Sequence, residues 1–209
     1  MCSASPDSIR SLRSRDATNF SRRALYLMEE EELDRIAVDR CLQGDVDAFG
    51  VLIERYQRPV FNTVLHMVGD AEDAREVCQQ AFMKAFEHLA SYDRERKFFS
   101  WIYRVAVNES INHLKARKPH ETLDERLQHP RANPAERFEE LEEWTHLHEA
   151  IMNLEPNYRA VVILRHFVHF SYNEIAEILN LPEKTVKSRL FTARQQLREA
   201  LEAKGHGHQ

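Results

Sequence analysis

Glycine is scarce in this chain, five in 209 residues, while Leu, Ala, Glu and Arg abound. That balance favours helix over sheet, and no stretch shows the strict alternation of a half-buried strand. No apolar run approaches the roughly 20 residues needed to cross a bilayer. The three cysteines, Cys2, Cys41 and Cys78, are far apart and form no C-x-x-C pair, which fits reduced thiols in a cytoplasmic protein. No nucleophile sits beside a base, and no glycine loop is built to cradle phosphate. His146 and His148, His166 and His169, and His206 and His208 come in near pairs. No Cys–His grouping has zinc-site spacing, so they read as surface or half-buried histidines. These absences point away from an enzyme, a cofactor and a metal centre.

Positive charge is also in deficit, with a formal net charge of −5, and this argues at first against a nucleic-acid partner. Its distribution reverses the argument. Cations gather in Arg94, Arg96, Lys97, Arg104, Lys115, Arg117 and Lys118, and again in Lys184, Lys187, Arg189, Arg194 and Arg198. Acids gather in Glu29 to Glu32 and between Glu136 and Glu143. A phosphate feels the local field, over about 8–10 Å at physiological salt, more than the total. Two basic zones separated by an acidic one suit two contacts with one polyanion.

The length suits one or two small domains with real cores. Residues 1–30 are Ser- and Arg-rich and read as a disordered extension. A transit peptide fits them less well, given Asp7 and Asp16, and Met28 is an alternative start because patterned sequence begins just after it. Over 31–116 the pattern predicts four helices. The first has a face of Leu33, Ile36, Ala37, Arg40 and Cys41. The second follows Asp47 and carries Phe49, Leu52, Val60, Val64 and Val68, with Pro59 as a point of kinking or division. Gly69 supplies its left-handed stop. The third turns Ala74, Val77, Cys78, Ala81, Phe82, Ala85 and Phe86 inward. The fourth, from Phe99 to about Ala116, turns in Ile102, Val105, Ala106, Ile111 and Leu114. Residues 117–135, with Pro119, Pro130 and Pro134, read as a flexible linker. A second helical domain spans 136–203, and 204–209 form a fraying tail. The fold class is therefore all-α, two small helical domains on a tether.

Within the second domain, Ser171 caps a helix carrying Ile175, Ala176 and Leu179, and Asn180 tolerates a left-handed turn. Pro182 then opens a helix whose Val186, Leu190, Ala193 and Leu197 share one face. Lys184, Lys187, Ser188, Phe191 and Thr192 occupy the remaining faces. A short helix, a tight turn and a second helix with a basic, hydroxyl-bearing outer face is the arrangement that reads a DNA major groove. An ordinary helical hairpin with a solvated face is the alternative.

Three blocks together resemble one family. They are DAEDAREVCQQAFMKAF at 70–86, FFSWIYRVAVNESINHLK at 98–115, and LEPNYRAVVILRHF followed by SYNEIAEILNLPEKTVKSRLFTAR up to residue 194. In order and spacing they are similar to region 2 and region 4 of bacterial RNA polymerase sigma factors of the extracytoplasmic-function (ECF) class. The resemblance implies that Asp73, Glu76, Gln79, Gln80 and Phe82 bind core RNA polymerase. The family usually carries Asp at the position of Glu76 and Glu at that of Gln80. It implies that Arg94, Lys97, Phe98, Phe99, Ser100, Trp101, Arg104, Asn108, Asn112 and Lys115 read and melt the minus-ten element. Aromatic rings that stack on unpaired bases, beside cations, suit that task at about 1–3 kcal/mol per base; a core position for Trp101 and Tyr103 is the competing reading.

It further implies that Ser171, Tyr172, Lys184, Thr185, Lys187, Ser188, Arg189, Phe191, Thr192 and Arg194 engage the minus-thirty-five element of promoter DNA. An anti-sigma factor, often membrane-anchored, is the partner expected to hold such a protein until a stress signal. Where the family has Gly, this chain has His169, which adopts a left-handed turn less freely, so a tighter or differently angled lead-in to the first helix is expected. A stand-alone helix-turn-helix regulator remains the other reading.

Overall fold

The computed structural model describes residues 31–116 and 145–205. The expected extension over 1–30, the linker over 117–135, the start of the second domain and the last four residues lie outside the described residues. Every regular element among those described is helical. In chain order they are α1 (31–42), α2 (Ala48–Val68), α3 (Ala71–Glu87), a single 3-10 turn at Leu89–Ser91, α4 (Phe98–Ala116), α5 (145–152), α6 (Pro156–His166), α7 (Tyr172–Leu179) and α8 (Glu183–Gly205). Their contacts divide into two units. One holds 31–52 with Asp93–Phe98, and the other holds Ile53–Tyr92 with Phe99 onward.

In the first unit α1 is turned from the expected face. Asp34, Ala37 and Val38 are buried, while Leu33 and Ile36 stay 51% and 47% exposed. The stripe is displaced by one residue, about 100° around the helix. Apolar residues on two sides of α1 made either face readable as the inner one. Arg40 forks onto Asp45 through Nε and Nη2, at 2.9 and 2.5 Å. Gly44 closes α1 with φ of +101°, a conformation that glycine adopts without a Cβ penalty.

In the second unit α2 runs unbroken through Pro59, and Thr63 Oγ1 donates to the Pro59 carbonyl at 3.0 Å. Asp70 caps α3 by accepting from Glu72 and Asp73 N–H. Ala74, Val77, Cys78, Ala81, Phe82 and Ala85 point inward as their spacing predicts, but Phe86 is 41% exposed. In α4 the buried set is Phe98, Ser100, Ile102, Tyr103, Ala106, Val107 and Ser110. Val105, Ile111 and Leu114 are only half-buried. Burial pushes the Tyr103 phenol up to about 12. His113 Nε2 lies 3.3 Å from Asp73 Oδ2, and Lys84 Nζ makes an ion pair with Glu109 at 2.5 Å, so polar and charged contacts join α3 to α4.

Helix α6 is the centre of the remaining helices, with every residue from Arg159 to Leu164 buried. Ser171 and Glu174 form a reciprocal capping box at the start of α7, satisfying two otherwise orphaned donors. Asn180 ends α7 at φ +51°, ψ +49°. The inward pair on α7 is Ile175 and Ile178, not Ile175 and Leu179. Val186, Leu190 and Ala193 of α8 meet them as their spacing predicts.

His169 does take the left-handed turn, at φ +64°. The turn is held from both sides: Phe170 N–H donates to Leu164 O at 3.0 Å and Arg165 Nη1 to Phe170 O at 2.8 Å. A side chain there costs about 1 kcal/mol relative to glycine. His169→Gly is therefore expected to stabilise the chain by up to about that amount, less the extra freedom it gives the unfolded state. Urea denaturation checks it; a lowered midpoint contradicts the account.

Burial also holds the imidazoles of His66 and His148 below their ordinary value of 6.5; the proximity of the two rings adds to this at His66, and the Arg159 cation adds to it at His148, with Glu149 opposing. Just below pH 6.5 the folded chain therefore binds fewer protons than the unfolded one. The stability contributed by these neutral rings is full above that pH and is lost as pH falls through it. A lower urea midpoint at pH 5.5 than at pH 7.5 is expected, and equal midpoints would contradict it.

Candidate nucleic-acid interface

The outer face of α8 is a single stripe. Lys184, Lys187, Ser188 and Phe191 fall within about 100° of one another around the helix, and all four are exposed. They stand opposite the buried Val186, Leu190 and Ala193. Phe191 is 71% exposed, an aromatic ring kept in water on a helix that had an apolar face available. A phenyl ring suits a thymine methyl, and lysines suit guanine edges or phosphate. Thr185, Arg189 and Thr192 flank the stripe, half-buried. Arg194 is exposed, with Nη2 3.2 Å from His166 Nε2.

The first turn of α7 supports this stripe. Tyr172 lies between two cations, with Arg165 4.9 Å and Lys187 5.5 Å from its ring centre. Glu183, one turn before Lys187, makes an ion pair with it and holds the ammonium above its ordinary value. Ser171 is engaged in the capping box. Tyr172 is thus placed to orient Lys187, a job its expected phosphate contact did not suggest.

On α4 a second stripe runs through Trp101, Arg104, Asn108, Asn112 and Lys115. Asn108, Asn112 and Lys115 are exposed, while Trp101 and Arg104 are half-buried. Trp101 packs on Tyr92 at 5.2 Å between ring centres, so it serves the core on one side and solvent on the other. Ser100 is buried inside the bundle, because Ser100, Tyr103 and Val107 fall on the inward side of α4. In the first unit Phe98 is likewise buried. There Arg94 pairs with Asp39 at 3.0 Å, and Lys97 pairs with Glu31.

On α3, Glu76, Gln79 and Gln80 form an exposed polar patch, with Gln80 Nε2 donating to Glu76 Oε1 at 3.0 Å. Asp73 faces His113, and Phe82 is buried. Met83, 55% exposed, continues the stripe one turn further. Its spacing of seven from Glu76, two helical turns, puts it on the same face. Among the described residues no group of His, Cys, Asp and Glu is placed to hold a metal ion. No helix there is long and apolar enough to cross a membrane.

Two family models match this chain: Sigma-70 region 2 over residues 52–119 and Sigma-70, region 4 over residues 145–197. The RNA polymerase sigma-H factor of Pseudomonas aeruginosa is 32% identical over 195 residues, covering 84% of this chain and 97% of that protein. The ECF RNA polymerase sigma-E factor of Escherichia coli K12 is 34% identical over 187 residues, covering 80% and 94%. The chain belongs to the ECF RNA polymerase sigma factors. A solved structure of CnrH in complex with the cytosolic domain of CnrY shares the fold, with a TM-score of 0.61 at 24% identity, over 82% of this chain and 98% of that one. As a sigma factor, the chain acts in transcription initiation through its two DNA-binding regions.

Lys187→Ala is expected to weaken binding to the upstream promoter element by about 1–3 kcal/mol, the value of a good base contact, while leaving polymerase binding intact. Fluorescence anisotropy on promoter duplex, set beside a core-polymerase pull-down, checks it. Equal loss in both assays contradicts the placement.

Proposed function

We propose that this ECF sigma factor binds core RNA polymerase through the α3 stripe, Glu76, Gln79 and Gln80 with Met83, and reads promoter DNA through the two other stripes. The α8 set, Lys184, Lys187, Ser188 and Phe191, lies in the major groove of the minus-thirty-five element. The α4 set, with Phe99, Trp101, Arg104, Asn108, Asn112 and Lys115, meets the minus-ten element and holds bases extruded from it. The protein carries no catalytic step of its own and works in the cytoplasm. An anti-sigma factor holds it until a stress signal, as the anti-sigma factor NepR is in complex with the sigma factor RpoE of Bartonella quintana.

The observation that carries this reading is the exposed phenyl ring of Phe191 between Lys187 and Ser188 on the outer face of α8, opposite that helix's buried side. Run-off transcription with purified core enzyme tests it. Transcripts that require this protein support the reading. Operator binding without polymerase, and no transcript on any template from its own genome, would favour a stand-alone regulator instead.

A further inference from the structure

Cations gather on one flank of the helix-turn-helix, where α6 runs into the turn before α7. Arg165 is engaged there: it donates to Phe170 O at 2.8 Å and stands over the Tyr172 ring. His166 and Arg194 have only each other. Arg194 of α8 brings Nη2 to 3.2 Å from His166 Nε2, and both side chains are exposed. A guanidinium has donors only, so Nε2 accepts in this contact and the ring is neutral, with its proton on Nδ1. Among the described residues, the charged groups that act on the ring are Arg194 from α8, Arg165 from its own helix and His169 from the turn. None of them is an acid. Partial burial first, and these three groups after it, hold the imidazole below its ordinary value of 6.5.

Arg194 lies seven residues beyond Lys187, two helical turns and about 10 Å along α8, on nearly the same side. When the N-terminal part of a recognition helix enters the major groove, its later turns pass beside the sugar-phosphate wall. If α8 reads DNA as described above, on which this inference rests, a backbone oxygen that reaches Arg194 also reaches His166. A neutral Nε2 meets that oxygen with a lone pair and repels it. A protonated one meets it with a charge-assisted hydrogen bond. The phosphate also offsets the repulsion between imidazolium and guanidinium, so the ring is easier to protonate with DNA than without. We infer that His166 and Arg194 form a proton-gated seat for one backbone phosphate: DNA binding draws a proton from solvent onto His166, and the helix-turn-helix holds the promoter more tightly as pH falls.

The coupling is reciprocal, because what DNA does for the proton the proton does for DNA. Protons are taken up where pH lies between the ring's lower value in the free protein and its higher value on DNA. Affinity therefore climbs across that window as pH falls and is flat on either side of it. Each unit by which the phosphate raises the ring changes affinity about tenfold.

Holoenzyme assembled from core polymerase and the full chain, titrated with fluorescent promoter duplex at pH 8.0 and pH 6.0, tests this. His166→Gln still accepts from Arg194 but cannot charge, so comparison with it cancels titration elsewhere in polymerase. Between pH 8.0 and pH 6.0 wild type should gain several-fold more affinity than His166→Gln. Its slope of log affinity against log salt should steepen by about 0.9 more, one further phosphate neutralised. His166→Lys, cationic at both values, should bind several-fold tighter than wild type at pH 8.0 and match it at pH 6.0. The same pH response in His166→Gln as in wild type overturns the inference, as does His166→Lys that binds no tighter at pH 8.0. Lys187→Ala, outside the pair, keeps the underlying reading separate. It should weaken binding at both pH values and keep the wild-type pH response; no loss at either value would sink the placement of α8, and this inference with it.

Discussion

Alanine in place of Arg159 is expected to lower the unfolding free energy by about 3 kcal/mol. Arg159 is 6% exposed, and its guanidinium donates to three carbonyls at helix ends: Met67 of α2, and Met152 and Leu154 at and just past the end of α5. A hydrogen bond to a charged group contributes about 1.5–3 kcal/mol net, and an abandoned buried carbonyl costs a further 1–3. Against that stands the cost of burying the cation, which brings the Arg159 group down to about 10. Removing the charge recovers that cost, so the net loss is well short of the sum of three bonds. Arg159→Lys should recover little, because one ammonium cannot fork across carbonyls from two helices. Urea denaturation of both variants checks this. A loss below about 1 kcal/mol for Arg159→Ala would mean that the carbonyls find water instead.

The second large effect is on promoter opening. Phe99→Ala is expected to slow opening of duplex promoters about 5- to 140-fold, matching about 1–3 kcal/mol for one stacked base. The same variant should retain activity on templates already unpaired across the minus-ten element, where no base has to be captured from the stack. The ring is half-buried and packs on Phe170 at 5.6 Å, so it has an aromatic partner to exchange for a base. Stopped-flow fluorescence on paired and pre-melted templates separates the two cases. Equal loss on both would show that Phe99 serves folding or polymerase binding.

The parts of this fold that were legible in the sequence are those governed by local rules. Ser171 and Glu174 at the N-terminus of α7, Asn180 at its C-terminus and the Val186–Leu190–Ala193 face of α8 all depend on neighbours within a few residues. The outer stripe of α8 follows once that inner face is known. What could not be read depends on distant partners. Arg104 meets carbonyls more than 70 residues away, and Arg159 meets Met67 across 92. No period or cap encodes such pairings, so Arg104 read only as a DNA contact and Arg159 did not stand out. The inner faces of α1 and α4 were misjudged for another reason. Leu33 and Ile36, or Val105 and Ile111, are apolar enough to be core, yet Asp34 and Ser110 are the residues enclosed. His169 was expected to resist a left-handed turn, and its neighbours hold it in one.

Permanganate probing of a promoter from its own genome, with core polymerase and this protein together, tests the central claim most directly. The account predicts reactive thymines just upstream of a start site, present only when both proteins are added and diminished by Phe99→Ala. Thymines that stay unreactive at every start site would contradict it.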